Sequence, residues 1–278
     1  MTDAIRQHEA ADDGFYDLTE KITRESEFHC TSYKDKCVRR RIAVRMRARG
    51  TETYAQYASL LDADRDEYGQ LLDALTVNVT RFFRNPTMYA AVAKHVVPDL
   101  WQRGGRIDVW SAGSASGEEA YSLAALFYEH GRSLDQLAYL GRVSVVGSDI
   151  DRASLDAARR AAYLPGSFAD TTPELLERLF PPLDERRTVI PPIRAITRFE
   201  RRDLLQDPPP SEVFDLIACR NVVIYLDRAS QEGLLDALFD SLRPAGYLIM
   251  GHVETLLGKA RRYLVPVDVR ERIYRKSL

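Results

Sequence analysis

Apolar residues recur at helical spacing through the first third of the chain. Val38, Ile42 and Met46, four apart, make one apolar stripe. Gly50 follows Arg47 and Arg49, as a glycine that closes a helix after a basic last turn. Tyr54, Tyr57, Leu60 and Leu61 mark a further helix, and Tyr68, Leu71, Leu72 and Leu75 another. The pattern predicts a polar tail at 1–14, a small helical domain at 15–88 and a linker at 89–104.

Beyond Gly104-Gly105 the texture changes. Ile107-Asp-Val-Trp-Ser reads as a strand that enters the small-residue loop Ala112-Gly-Ser-Ala-Ser-Gly, with a helix from Glu118. Val143-Ser-Val-Val-Gly, Phe214-Asp-Leu-Ile-Ala-Cys and Gly246-Tyr-Leu-Ile-Met-Gly read as further strands, with helices at 152–162 and 230–242 between them. Strands alternating with helices predict an α/β domain over 105–278 with a mostly parallel sheet covered on both faces. The stretch at about 180–202 holds four prolines and short β-branched pieces, and predicts a small antiparallel insertion. Residues 262–275 predict a terminal hairpin.

Composition narrows the class. The 278 residues are 45% hydrophobic and 29% charged, which excludes a disordered or collagen-like chain. The N-terminus is polar and acidic, not a signal peptide, and no apolar run reaches the roughly 18 residues of a bilayer span. Cys30, Cys37 and Cys219 match no disulfide or metal spacing, so a reduced cytoplasmic protein without metal is expected. A net charge of −2 argues against bulk nucleic-acid binding.

Four stretches carry candidate chemistry. Gly113 and Gly117 let a ligand approach backbone at the mouth of the sheet, and Asp149, ending the second strand, offers a carboxylate to two ribose hydroxyls. Their spacing is neither a dinucleotide fingerprint nor a Walker loop, so a nucleoside without a pyrophosphate fits better. Glu118-Glu119 opens the following helix. The helix dipole accounts for one acid, and the other has room to hold an ammonium group. Thr76-Val-Asn-Val-Thr-Arg-Phe-Phe-Arg-Asn-Pro interleaves Asn78, Thr80 and Arg84 with apolar residues. It reads either as an interdomain strap or as a lid over the ligand end of the sheet. Cys219-Arg-Asn-Val-Val-Ile-Tyr places Arg220 and Asn221 at a strand's carboxyl end, with Tyr225 four residues on. Gly251-His-Val-Glu adds His252 and Glu254 at the next strand end. Finally, residues 31–50 hold eight basic residues against one acid. A solvated face explains such a run, and so does an acidic partner.

Taken in order, Leu75-Thr-Val-Asn-Val-Thr-Arg-Phe-Phe-Arg, Val109-Trp-Ser-Ala-Gly-Ser-Ala-Ser-Gly-Glu-Glu-Ala-Tyr-Ser, Ser148-Asp-Ile-Asp, Phe214-Asp-Leu-Ile-Ala-Cys-Arg-Asn-Val-Val-Ile-Tyr-Leu-Asp and Gly251-His-Val-Glu resemble the CheR family of chemotaxis-receptor methyltransferases. The resemblance implies a helical N-terminal domain and a class I, Rossmann-like methyltransferase domain with an inserted antiparallel β-subdomain. It implies methyl transfer from S-adenosylmethionine to glutamate side chains of receptors, giving methyl esters and S-adenosylhomocysteine. The implied cofactor contacts are Asn78, Thr80, Arg84, Glu119, Asp149, Asp203, Leu204, Arg220 and Asn221. Arg84 and Tyr225 match the positions of methyl transfer. The basic helix, with Arg39, Arg40, Arg41, Arg45, Arg47 and Arg49, matches the surface laid against the cytoplasmic helical bundle of receptors. The family's Gly-His-Ser-Glu stands here with Val253, and position 203 is Asp where members often carry Asn. The insertion is short and lacks internal glycines, so no tether to a receptor C-terminal peptide is expected. A methyltransferase of another acidic signalling protein and a non-catalytic S-adenosylmethionine sensor are the alternatives.

Overall fold

The computed structural model describes residues 2–26, 28–76, 78–207, 209 and 211–277, with side chains from Gly14 onward. The chain forms two compact units, Met1–Val77 with Tyr225–Ser230, and Asn78–Ile224 with Gln231–Leu278.

The first unit holds α1 (Thr2–Glu25), α2 (Asp35–Arg49), α3 (Tyr54–Ala63) and α4 (Arg65–Leu75). The backbone is helical from Thr2, through most of the stretch expected as a tail. Gly50 closes α2 at φ 66°, as its position after the basic turn predicts. Thr53 and Gln56 exchange the two hydrogen bonds of a capping box at the start of α3, and Asp64 caps α4. Phe15, Leu18, Ile22, Val38, Ile42, Tyr57, Leu71 and Leu75 make one core. Glu67 is buried in this unit. It accepts hydrogen bonds from Tyr57 Oη at 2.6 Å, Arg45 Nη2 at 2.6 Å and Arg49 Nη1 at 3.0 Å. Burial pushes its carboxyl up, but Arg45 and Tyr57 outweigh that and hold it below the usual range.

The second unit opens with α5 (Pro86–His95) and α6 (Val97–Gln102), then β1 (Ile107–Ala112), α7 (Glu118–Ser133), β2 (Val143–Asp149) and α8 (Arg152–Arg160). There follow β3 (Ala162–Tyr163), α9 (Pro173–Leu179), β4 (Pro182–Leu183), β5 (Arg186–Thr188), α10 (Pro191–Ala195) and β6 (Thr197–Arg201). The chain ends with β7 (Phe214–Cys219), α11 (Arg228–Ser241), β8 (Leu242–Met250), α12 (Gly258–Tyr263), β9 (Leu264–Asp268) and β10 (Ile273–Lys276). Seven strands lie in the order β6-β2-β1-β7-β8-β10-β9. The first five run parallel, and the terminal hairpin adds β10 and β9 antiparallel. The chain builds outward from β1 to β2 and β6, then returns to place β7 on the other side of β1. That reversal puts a crevice at the carboxyl ends of β1 and β7, where open α/β sheets bind ligands. At the opposite edge Arg243 joins Asp108 and Asp215 at 3.0 and 2.5 Å.

Two expected boundaries move. Residues 78–88, read with the helical domain, belong to the sheet's unit, because Phe82, Phe83 and Met88 enter its core. The antiparallel stretch expected at about 180–202 divides between two sheets. β3, β5 and β4 form a three-stranded antiparallel sheet, whereas β6 joins the main sheet parallel to β2. As an edge strand β6 keeps a half-exposed pattern, so its sequence does not show the apolar run of its parallel neighbours.

A candidate cofactor site at the carboxyl edge of the sheet

Five parallel strands end on one edge, and Glu119, Asp149, Asp203, Leu204, Arg220 and Asn221 lie at or after those ends, whereas Asn78, Thr80 and Arg84 come from the segment before α5. After β1 the loop turns on Gly113 at φ 77°, Ala115 at φ 45° and Gly117 at φ 93°. The amides of Gly113 and Ser114 both donate to the Ser148 carbonyl, at 2.9 and 2.8 Å, which straps the loop to β2. A Cβ on Gly117 would lie 2.8 Å from both Ala158 and Phe199, so glycine alone allows this close approach to α8 and β6. Gly113 has equally little room, with Val222 on one side and Leu204 just beyond.

Asp149 ends β2 and is buried. Its Oδ2 accepts from the Ala115 amide at 2.8 Å and its Oδ1 from the Asp151 amide at 3.0 Å. Burial raises its pKa, and those amides work against the rise. Each oxygen keeps a second lone pair for a ligand hydroxyl. Asp151 caps α8 and also accepts from Asn78 Nδ2 at 2.5 Å, which pins the start of the 78–85 segment to the end of β2.

Glu119 and Glu118 now separate. Glu119 accepts from Ser111 Oγ at 2.9 Å and pairs with Arg220 Nη1 at 3.0 Å. Glu118 accepts from Ser116 Oγ at 2.7 Å, and burial raises its pKa. Arg220 also donates to the Arg84 carbonyl at 2.9 Å and to Asn85 Oδ1 at 2.6 Å. Burial opposes its charge, and Glu119 more than restores it. The 78–85 segment is held firmly. The Phe82 amide donates to the Ser167 carbonyl, the Phe83 amide donates to Ser122 Oγ, and the Phe82 ring stacks on Phe168 at 4.8 Å. Phe83 and Asn85 adopt φ of 53° and 66°, so Arg84 sits on a strained turn that these contacts fix. Its Nη1 donates to the Val79 carbonyl at 3.0 Å. Thr80 is half-buried on the same segment, and Val77 lies outside the described residues.

Asp203, Leu204 and Tyr225 complete the expected set. The Asp203 carboxylate accepts from the amides of Leu205 and Gln206, closing its own turn, while Leu204 reaches toward Gly113. Tyr225 belongs to the helical unit. There its carbonyl accepts from the Lys34 amide at 2.9 Å, and the Arg41 guanidinium lies 4.5 Å from its ring centroid. In the same unit Arg41 is buried and donates to the Leu75 carbonyl, Arg39 packs on the Phe15 ring at 3.7 Å, and Arg45 and Arg49 serve Glu67. Arg40 and Arg47 stand exposed on the far side of the apolar stripe.

Residues 78–272 match the family described as CheR methyltransferase, SAM binding domain, and residues 13–76 match its all-alpha domain. The chain belongs to the CheR methyltransferase family. It is 31% identical over 264 residues to a chemotaxis protein methyltransferase of Salmonella typhimurium, covering 91% of this chain and 87% of that one. It is also 31% identical over 248 residues to chemotaxis protein methyltransferase 2 of Pseudomonas aeruginosa, covering 87% and 86%. A 104.1 kDa uncharacterised protein of Rhodobacter capsulatus is 32% identical over 243 residues, and the match spans only 25% of its length.

The residues present in this CheR-family chain fit S-adenosylmethionine. The carboxylates of Glu119 and Asp149 suit a cationic methionyl end and a ribose diol, and the loop's buried Ser114 hydroxyl has no hydrogen-bond partner among the described residues. Among those residues no group of His, Cys, Asp or Glu is arranged to hold a metal. The motif reading missed Ser111, Asn85 and the second role of Asp151. Asp151 had a visible signal, as the cap before Arg152-Ala-Ser. Asn85 had one too, since it precedes the proline that opens α5.

Proposed function

We propose that this protein transfers the methyl group of S-adenosylmethionine to glutamate carboxylates on chemotaxis receptors, forming glutamate methyl esters. The observation that carries the reading is Arg220, which ties the Glu119 carboxylate to the backbone of Arg84 within one buried cluster. Membership of the CheR family and the names of the relatives support the substrate class.

The cofactor supplies a methyl group on a sulfonium, already activated for transfer. The chain's own task is to hold and align. A glutamate acceptor is ionised at neutral pH, its unperturbed pKa being about 4.3, so no base is needed. Glu119 would hold the methionyl end and Asp149 the ribose, and the fixed 78–85 segment would bring Arg84 to the acceptor. Charge is neutralised as the methyl moves, so an arginine that gripped the acceptor too firmly would slow the step. Sharing the Arg84 guanidinium with the Val79 carbonyl tempers that grip. Tyr225 is assigned the second acceptor contact, on the resemblance of its motif.

Receptor docking is assigned to the exposed Arg40 and Arg47, with the buried or paired Arg41, Arg45 and Arg49 supporting α2 from within. The small sheet is assigned no peptide tether. Its two edge strands, β3 and β4, have two residues each, too short to pair with a peptide over any length, and β4 begins with Pro182, which offers no amide to an added strand.

The test is transfer of radiolabelled methyl from S-adenosylmethionine to receptor-containing membranes, followed by alkaline treatment. Label released as methanol supports a carboxyl ester. Absence of label, with cofactor binding confirmed by calorimetry, overturns the reading.

A further inference from the structure

Glu254 is a buried acid that the proposed mechanism leaves unused. It lies four residues beyond the end of β8. Its Oε2 accepts from the Gly251 amide at 2.7 Å, while its Oε1 makes no hydrogen bond among the described residues. The Asn221 amide nitrogen borders the same space, and the backbone amides of Asn221, Ile224 and Val223 partly offset the burial that raises the carboxyl's pKa. These amides belong to the loop after β7, which turns through Asn221 at φ 62°. Successive amides around a left-handed residue form a concavity that suits an anion. Here the anion comes from the chain itself.

Gly251 explains how the carboxylate fits. A Cβ at this position would lie 2.7 Å from Glu254 Oε2 and 3.1 Å from the Asn221 amide nitrogen. Glycine leaves the space and Glu254 fills it. On the loop's other side Val222 closes over Gly113, its Cγ2 only 2.4 Å from where a Cβ would stand. Glu254 is thereby linked through the 221–224 backbone to the loop after β1. Arg220, one residue before this turn, lies within electrostatic reach of both Glu119 and Glu254.

We infer that Glu254 is a positioning residue for the cofactor edge, acting as an internal anion that sets the Asn221–Ile224 backbone against the Gly113 loop. The inference rests on the S-adenosylmethionine reading of that edge.

The experiment compares wild type and Glu254→Gln for affinity toward S-adenosylhomocysteine by calorimetry, for thermal unfolding, and for amide exchange at Val223 and Ile224. The glutamine keeps the shape, removes the charge and turns a donor toward the amides. The expected result is affinity weakened by about tenfold or more at a temperature where both proteins are folded, with faster exchange at those two amides. An unchanged affinity with a lowered melting temperature would show a purely structural role and overturn the inference. If Glu254→Gln does not fold, Glu254→Asp is judged by the same criterion, since its shorter side chain draws the carboxylate back from the 221–224 loop. Wild type that binds no S-adenosylhomocysteine would overturn the cofactor reading and this inference with it, whereas equal binding by wild type and variant overturns the inference alone.

Discussion

Arg220 meets Glu119 at 3.0 Å through Nη1 and gives its Nη2 to the Arg84 carbonyl and Asn85 Oδ1. Both charged partners are buried, so removing one leaves the other without compensation. Arg220→Met should cost about 3 kcal/mol or more of stability in denaturant unfolding. Glu119→Gln should cost less, because the amide oxygen still accepts from Arg220. Equal losses would mean that the pair contributes only packing.

The Asn78 to Asp151 contact makes a narrower prediction. Asn78→Ala removes one hydrogen bond to a charged acceptor, worth about 1.5–3 kcal/mol, and frees the start of the segment that carries Arg84. S-adenosylhomocysteine should bind roughly tenfold more weakly, measured by calorimetry, with Asp151 still capping α8. Unchanged affinity would show that this anchor does not shape the site.

Arg84→Ala and Tyr225→Phe separate alignment from binding. Each should lower kcat on the order of 100-fold in a methyl-transfer assay, as loss of a group aimed at the reacting centre does. Tyr225→Phe keeps the ring beneath Arg41, so its melting temperature should match wild type. Wild-type turnover in both variants would remove these two residues from the mechanism.

Glu67 ties the helical unit's stability to pH. Its carboxyl is held below the usual range, so its stabilisation is fully present above the unfolded value of about 4.3 and is lost as pH falls through the lower folded value. Urea unfolding between pH 5 and pH 2 should show wild type losing stability faster than Glu67→Gln. Parallel curves would contradict the assignment.

The basic helix should divide by function. Arg40→Glu and Arg47→Glu should leave the melting temperature within a degree or so, while weakening a salt-sensitive association with receptor membranes. Arg45→Glu should destabilise the unit, because it places a second acid against buried Glu67. Receptor binding unaffected by both exposed reversals would move the docking surface elsewhere.

Most of the sheet was legible because buried parallel strands are short apolar runs with turn signals at both ends. Gly113, Asp149 and Arg220 could be named as candidates because each stands at the end of such a run. What escaped depends on contacts distant in sequence. β6 has one neighbour, so Thr197–Arg201 carries no sign of being parallel. The six arginines of α2 look alike in sequence. Glu67 and Leu75, well downstream, decide which of them are committed inside the fold.

The helical unit also includes Tyr225–Ser230. Leu226 bridges Tyr33, and the Asp227 amide donates to the Ser32 carbonyl. During synthesis, β1 to β7 leave the ribosome before this piece arrives. The first unit to be translated therefore stays incomplete until after β7 has been made, and its last contacts wait on a piece of chain that follows most of the second unit.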